Sequence, residues 1–111
     1  MPNRDPELYL DDIRESCEKI LLYVTGVDRE AFEKNPMMID AVVRNIGIIG
    51  EAVSQLPNEV CDRFPDVDWY EIKGMRNIVV HEYFGIRMDI LWKTIKEDIP
   101  ALKNLIDEQT T

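Results

Sequence analysis

Between residues 39 and 56 the side chains Ile39, Val42, Val43, Ile46, Ile49, Gly50, Val53 and Leu56 recur at i, i+3, i+4 and i+7 spacing. That period belongs to an α-helix with one apolar face; a strand would put alternate residues on a common face. A stripe of this length can leave water only against other helices, so it dictates a helical packing partner on more than one side. Asn35-Pro36 supplies the start, with the amide as N-cap and proline at the first helical position, where its missing N–H costs nothing. Leu56-Pro57 supplies the end. This should be the most buried helix of the chain. Gly47, Gly50 and Ser54 form a strip of small residues along it, where another helix can approach closely. Gly47-Ile48-Ile49-Gly50 also matches a G-x-x-G string, but inside a helical pattern it cannot be an RNA-binding loop.

The rest of the chain repeats the same grammar. Asp5-Pro6 opens a helix whose stripe Leu10, Ile13, Cys17, Ile20, Leu21, Val24 stops at Gly26, and Asp28 caps a short helical piece through Asn35. Asn58 to Phe64 reads as a short helical turn before Pro65 forces a corner. Asp68, followed three residues later by Glu71, starts a helix at Trp69 that Gly85 should stop. Asp89 is the expected cap of a final helix whose stripe Trp92, Ile95, Ile99, Leu102, Ile106 continues across Pro100, which predicts a kink rather than a break. No strand signal, repeat or linker interrupts this order. The fold expected is all-α, a roughly antiparallel four-helix bundle with short extra helices, in one domain spanning residues 1–111.

With 22 acidic residues against 13 basic ones, the formal net charge is -9. Bulk affinity for nucleic acid normally rides on clustered Lys and Arg, so a protein that coats nucleic acid is excluded more firmly than an enzyme needing one local positive site. Acidity also suits a partner with a basic face. Two separated cysteines, Cys17 and Cys61, with no signal peptide point to a reducing, cytoplasmic setting. No apolar run approaches the roughly 18 residues of a membrane span. One histidine and two distant cysteines do not make a zinc site of the usual type, and no phosphate loop, dinucleotide fingerprint or nucleophile elbow is present. Asp11-Asp12, or Asp66 with Asp68, could hold Mg²⁺, but acidic pairs at helix starts serve more often as caps and solvated faces. No metal and no cofactor is expected.

The chemistry-bearing residues concentrate in Arg76-Asn77-Ile78-Val79-Val80-His81-Glu82-Tyr83, which contains the single histidine. At 100° per residue, Arg76 shares a face with Trp69, Ile72, Val79, Val80 and Tyr83, so a fixed positive charge sits in an apolar and aromatic stripe and needs an anionic or hydrogen-bonded partner. Asn77 and His81 are four apart, and the amide can hold the imidazole in one orientation and tautomer. His81 lies about 140° from Arg76 in helix register. The two meet on one phosphate only if the helix loosens near His81, the arginine reaches round, or a second subunit contributes. A plain structural account also exists: Arg76 as a snorkelling or ion-paired residue, and His81 as a helix-end residue favoured by the macrodipole.

Arg76, four residues beginning with Asn77, then His81-Glu82-Tyr83 resembles the R-x4-H-x-Y signature of the HEPN superfamily, in its HepT-like branch of toxin ribonucleases. Ile49-Gly50-Glu51-Ala52 resembles the I-G-E-A segment upstream in the same branch, and length, helix order and motif position fit across nearly the whole chain. The resemblance implies a HEPN-like bundle, an endoribonuclease working as a homodimer, and a toxin of a type II or type VII toxin-antitoxin pair. Its partner would be a cognate minimal nucleotidyltransferase antitoxin that attaches adenylyl groups to the tyrosine of H-x-Y, here Tyr83.

Metal-free RNA cleavage is feasible with these residues because the substrate carries its own nucleophile, the 2′-hydroxyl. His81 can take the 2′-hydroxyl proton or give one to the leaving 5′-oxygen, Arg76 can hold the non-bridging phosphate oxygens, and Asn77 can orient the ring. Two proton transfers want two groups, and one histidine per chain makes a homodimer with facing motifs the natural remedy. Tyr83, seven residues from Arg76 on one helix face, would carry an adenylyl group into the position of the RNA phosphate. It could otherwise simply pack in the Trp69 and Ile72 stripe. The competing reading is a non-catalytic helical binding partner of a nucleotidyltransferase, in which Arg76 binds a phosphate or an acidic residue of that partner.

Overall fold

The structure, a computed structural model, describes the backbone of residues 4–81 and 87–110 and the side chains of residues 4–75 and 87–108. Among the described residues seven α-helices and one π-helical turn follow in order: α1 (Pro6–Tyr23), α2 (Arg29–Glu33), α3 (Pro36–Gln55), α4 (Asn58–Cys61), α5 (Trp69–His81), α6 (Met88–Lys93), the π turn (Thr94–Asp98) and α7 (Ile99–Thr110). Among the described residues there is no strand. The architecture is the expected all-α bundle, with α1, α3, α5 and the composite α6–π–α7 helix as its four long members.

Local chemistry sets the helix starts. The carboxylate of Asp5 accepts from the Glu7 N–H at 2.9 Å, that of Asp28 from Ala31 at 2.8 Å, and that of Asp68 from Glu71 at 3.0 Å. The amide oxygen of Asn35 accepts from Met38 at 3.1 Å. Each satisfies an N–H that the first helical turn leaves without a partner, worth about 1 kcal/mol apiece. Gly26 closes the turn after α1 with φ +73°, a left-handed conformation that a side chain would strain.

Helix α3 packs against α1, α2 and α5, and α1 also packs against α7. The α3 stripe is buried from Val42 to Leu56, with Ile39 half-buried at its start. Leu10, Ile13, Cys17 and Ile20 of α1 face it, and Ile95, Ile99, Leu102 and Ile106 close the core from the last helix. A fully buried side chain of this kind contributes roughly 1.5–3 kcal/mol relative to exposure, so the stripes, rather than the exposed ion pairs, hold the bundle together. Trp92 leans on Phe32 with ring centroids 5.3 Å apart, fastening α2 to α6. In the small-residue strip Gly50 is buried, Gly47 half-buried and Ser54 exposed.

One local expectation is corrected. Asp89 does not cap the last helix. Arg87 occupies the N-cap position, its carbonyl accepting from the Leu91 N–H at 3.0 Å, while Asp89 lies in the first turn. The Arg87 guanidinium holds the Asp89 carboxylate at 2.9 Å and depresses its pKa, so the acid serves as an ion-pair partner near a helix start. Across Pro100 the last helix continues without a break, as expected. Lacking an N–H, and with a ring that crowds the carbonyl four residues back, the proline is accommodated by a π turn just upstream, where the Ile99 N–H reaches the Thr94 carbonyl five residues away.

Candidate active site

Helix α5 carries the candidate site. Asp68 caps its start, and Trp69 anchors it by donating its indole N–H to the Cys61 carbonyl at 3.2 Å and packing edge-on against Phe64. Ile72 and Met75 turn into the core, and Tyr70, Glu71 and Lys73 turn to solvent. The backbone is α-helical through His81, so Arg76 and His81 remain about 140° apart in helix register, and no loosening intervenes before His81. The side chains of Arg76, Asn77 and His81, all of Tyr83, and the proposed stop at Gly85 lie outside the described residues. The upstream Ile49-Gly50-Glu51-Ala52 segment sits on α3, the helix against which α5 packs, with Ile49, Gly50 and Ala52 buried and Glu51 exposed.

The acidic surface is arranged around ion pairs. Asp12 engages Arg4 at 2.6 Å, Asp11 and Asp107 engage Arg14, and Lys103 joins Asp107 at 2.6 Å. Lys19, Arg29, Lys34, Arg63 and Arg87 likewise have carboxylate partners. Among the described residues the cations without one are Arg44 on α3, Lys73 on α5, Lys93 on α6 and Lys96 in the π turn, the last lying 5.3 Å from the Trp92 ring centroid. Among the described residues, the cations outside ion-pair contact with a carboxylate therefore lie on the motif helix and on helices neighbouring it in space or sequence, and of these Lys93 faces the Asp98 carboxylate. Three of the four candidate Mg²⁺ ligands have other duties: Asp11 and Asp12 pair with arginines, and Asp68 is a cap.

Sequence reasoning missed a pocket of about 310 Å³ between the N-terminal half of α5 and the α6–π segment. Tyr70, Gly74 and Met75 line one side; Ile90, Lys93 and Asp98 line the other. A smaller hollow of about 160 Å³ continues from it along α7, sharing Glu71, Ile72 and Asp98. Burial raises the pKa of the half-buried Asp98 above the ordinary carboxylate range, with Lys93 opposing and Glu97 reinforcing the shift. The one available signal was Gly74, a glycine inside a helix and away from any turn.

The bundle and its signature define a class of protein: a compact helical domain with R-x4-H-x-Y beginning on one of its long helices. Within that class the chain belongs to the ribonuclease HepT-like family, whose sequence model matches residues 13–108. It is 40% identical over 107 residues to a candidate RNase of Methanocaldococcus jannaschii, covering 96% of this chain and 98% of the relative. A candidate RNase of Caldanaerobacter subterraneus subsp. tengcongensis is 42% identical over 105 residues, covering 95% and 94%. A candidate ribonuclease HepT of Thermococcus cleftensis is 39% identical over 100 residues, covering 90% and 91%. No solved structure gives a significant match. Among the described residues no helix is long and apolar enough to cross a membrane.

Proposed function

We propose that this chain is a metal-independent endoribonuclease, with His81 as general acid/base and Arg76 as the group that stabilises charge on the phosphate. The observation that carries the reading is the family match over residues 13–108, which contains the whole Arg76-to-Tyr83 signature. The 2′-hydroxyl attacks phosphorus while His81 takes its proton, the bond to the 5′-oxygen breaks, and that oxygen leaves with a proton given by the protonated His81 of a second copy of the chain. The products are a 2′,3′-cyclic phosphate and a 5′-hydroxyl end. Asn77 orients the imidazole. Lys73 and Lys96, outside ion-pair contact with a carboxylate among the described residues, would supply local attraction for RNA that the net charge of -9 would otherwise deny.

The 140° separation of Arg76 and His81 along a continuous helix, together with one histidine per chain, favours a homodimer in which facing motifs complete the site. The resemblance of its signature to the HepT-like branch supports reading the chain further as a toxin with a minimal nucleotidyltransferase as partner and Tyr83 as the adenylylated residue. The deciding experiment incubates purified protein with total RNA in EDTA. Cleavage that persists, yields cyclic-phosphate ends and falls roughly 100- to 10,000-fold in His81→Ala at unchanged helical circular dichroism is the expected result. Activity lost in chelator and restored by Mg²⁺ would sink the mechanism.

A further inference from the structure

Gly74 has no structural need to be glycine. It sits in the interior of α5, its φ is not left-handed, and a Cβ built there meets nothing within 4 Å. A helix interior that accepts glycine loses roughly 0.5–1 kcal/mol relative to alanine, so the residue keeps space open at a cost in stability. The space it keeps open is the 310 Å³ pocket. The opposite wall includes Thr94 and Asp98, the first and last residues of the π turn that accommodates Pro100. His81 follows Gly74 by seven residues, two helical turns on the same face of α5 and about 10 Å along its axis.

We infer that this pocket receives a base of the RNA substrate close to the scissile phosphate, with guanine as the preferred occupant. The inference rests on the ribonuclease reading for its substrate and on the pocket's own chemistry for the base. Tyr70, 88% exposed at the rim, offers a ring on which a base can stack. Met75 and Ile90 give apolar walls for the base faces. Asp98 is an acceptor with two oxygens, matched to the two adjacent N–H donors on the Watson–Crick edge of guanine. Lys93 stands at the same rim without a carboxylate in ion-pair contact among the described residues, placed for a neighbouring phosphate. The Thr94 hydroxyl already donates to the Ile90 carbonyl at 2.9 Å, so its oxygen remains only as an acceptor. Two carboxylates, Glu71 and Asp98, and one cation, Lys93, surround the apolar slot, so it offers acceptors to the N–H edge of a base and a single cation to its phosphate.

The test titrates the four nucleoside 3′-monophosphates into the isotope-labelled full chain by NMR and, in parallel, measures cleavage of a defined RNA. Guanosine 3′-monophosphate should perturb the amides of Gly74, Ile90 and Thr94 at the lowest concentration. Gly74→Leu should abolish those shifts while remaining folded, and Asp98→Asn should shrink the preference for guanosine about tenfold or more. Shifts absent at millimolar nucleotide, equal for all four bases, or unaltered in Gly74→Leu would overturn the inference. So would perturbation of the same amides by a cationic amphipathic peptide alone, which would give the groove to a protein partner. RNA cleavage with no base in the pocket refutes the pocket only, whereas base binding without cleavage refutes the ribonuclease reading only.

Discussion

Replacing Gly74 by alanine should make the protein more stable, and the size of the gain follows from the structure. The residue is in the interior of the thirteen-residue helix α5, where glycine costs about 0.5–1 kcal/mol relative to alanine because more backbone freedom is lost on folding. Two effects that could cancel the gain do not apply. The new methyl meets nothing within 4 Å, so no neighbour has to move, and the only described glycine with a positive φ is Gly26. At about 2.1 cal/mol/K per residue, a chain of this length unfolds with an entropy near 230 cal/mol/K, so the melting temperature should rise by about 2–4 °C. Thermal melts followed by far-UV circular dichroism measure the shift, and urea titration should show a higher midpoint at unchanged slope. Gly26→Ala is the counter-control: with φ at +73° it should lose about 1 kcal/mol or more. A Gly74→Ala melting temperature equal to or below that of the parent would refute the reasoning, since it would mean that this glycine makes a contact a methyl destroys.

Burial pushes the Cys17 thiol up to about 12, leaving roughly one thiolate in 10,000 at pH 8, and Cys61 is shifted in the same direction while only half-buried. Native protein should therefore react slowly with a thiol reagent, Cys61 first, and Cys17 should become reactive only on unfolding; fast labelling of Cys17 in the native state would contradict this packing. Asp98 titrates above the unfolded value of about 3.9, so its protonation favours the fold: that stability is present at low pH and lost as pH rises through the folded pKa. Asp98→Asn should accordingly gain stability over the parent at pH 7, with the advantage narrowing as pH falls below the folded pKa; a difference independent of pH would rule the assignment out. Tyr83→Phe keeps the ring and removes only the acceptor oxygen, so it should cleave RNA nearly as the parent does and resist adenylylation by a cognate transferase with ATP. Mass spectrometry that finds the adenylyl adduct at undiminished yield on this variant would exclude Tyr83.

What the sequence determined by itself is what depends on residues a turn or two apart. The helix starts at Asp5, Asp28, Asn35 and Asp68 were legible because an N-cap needs only a side-chain oxygen and the N–H groups two or three residues on. The apolar stripes of α1, α3 and the last helix named their buried residues because one period fixes which side chains share a face. The family signature was legible for the same reason, since it lies within eight consecutive residues. Asp89 was misread because a competing partner two residues away, Arg87, engages its carboxylate while the chain enters the helix through Arg87 itself. The cost of Pro100 was legible in the sequence, whereas the widened turn just upstream of it, with Ile95 and Ile99 both in the core, shows only in the folded chain. The pocket beside Gly74 belongs wholly to the tertiary structure. Its walls come from segments separated by the connection between α5 and α6, and a void is set by how far apart two packed helices stand, which no local spacing encodes.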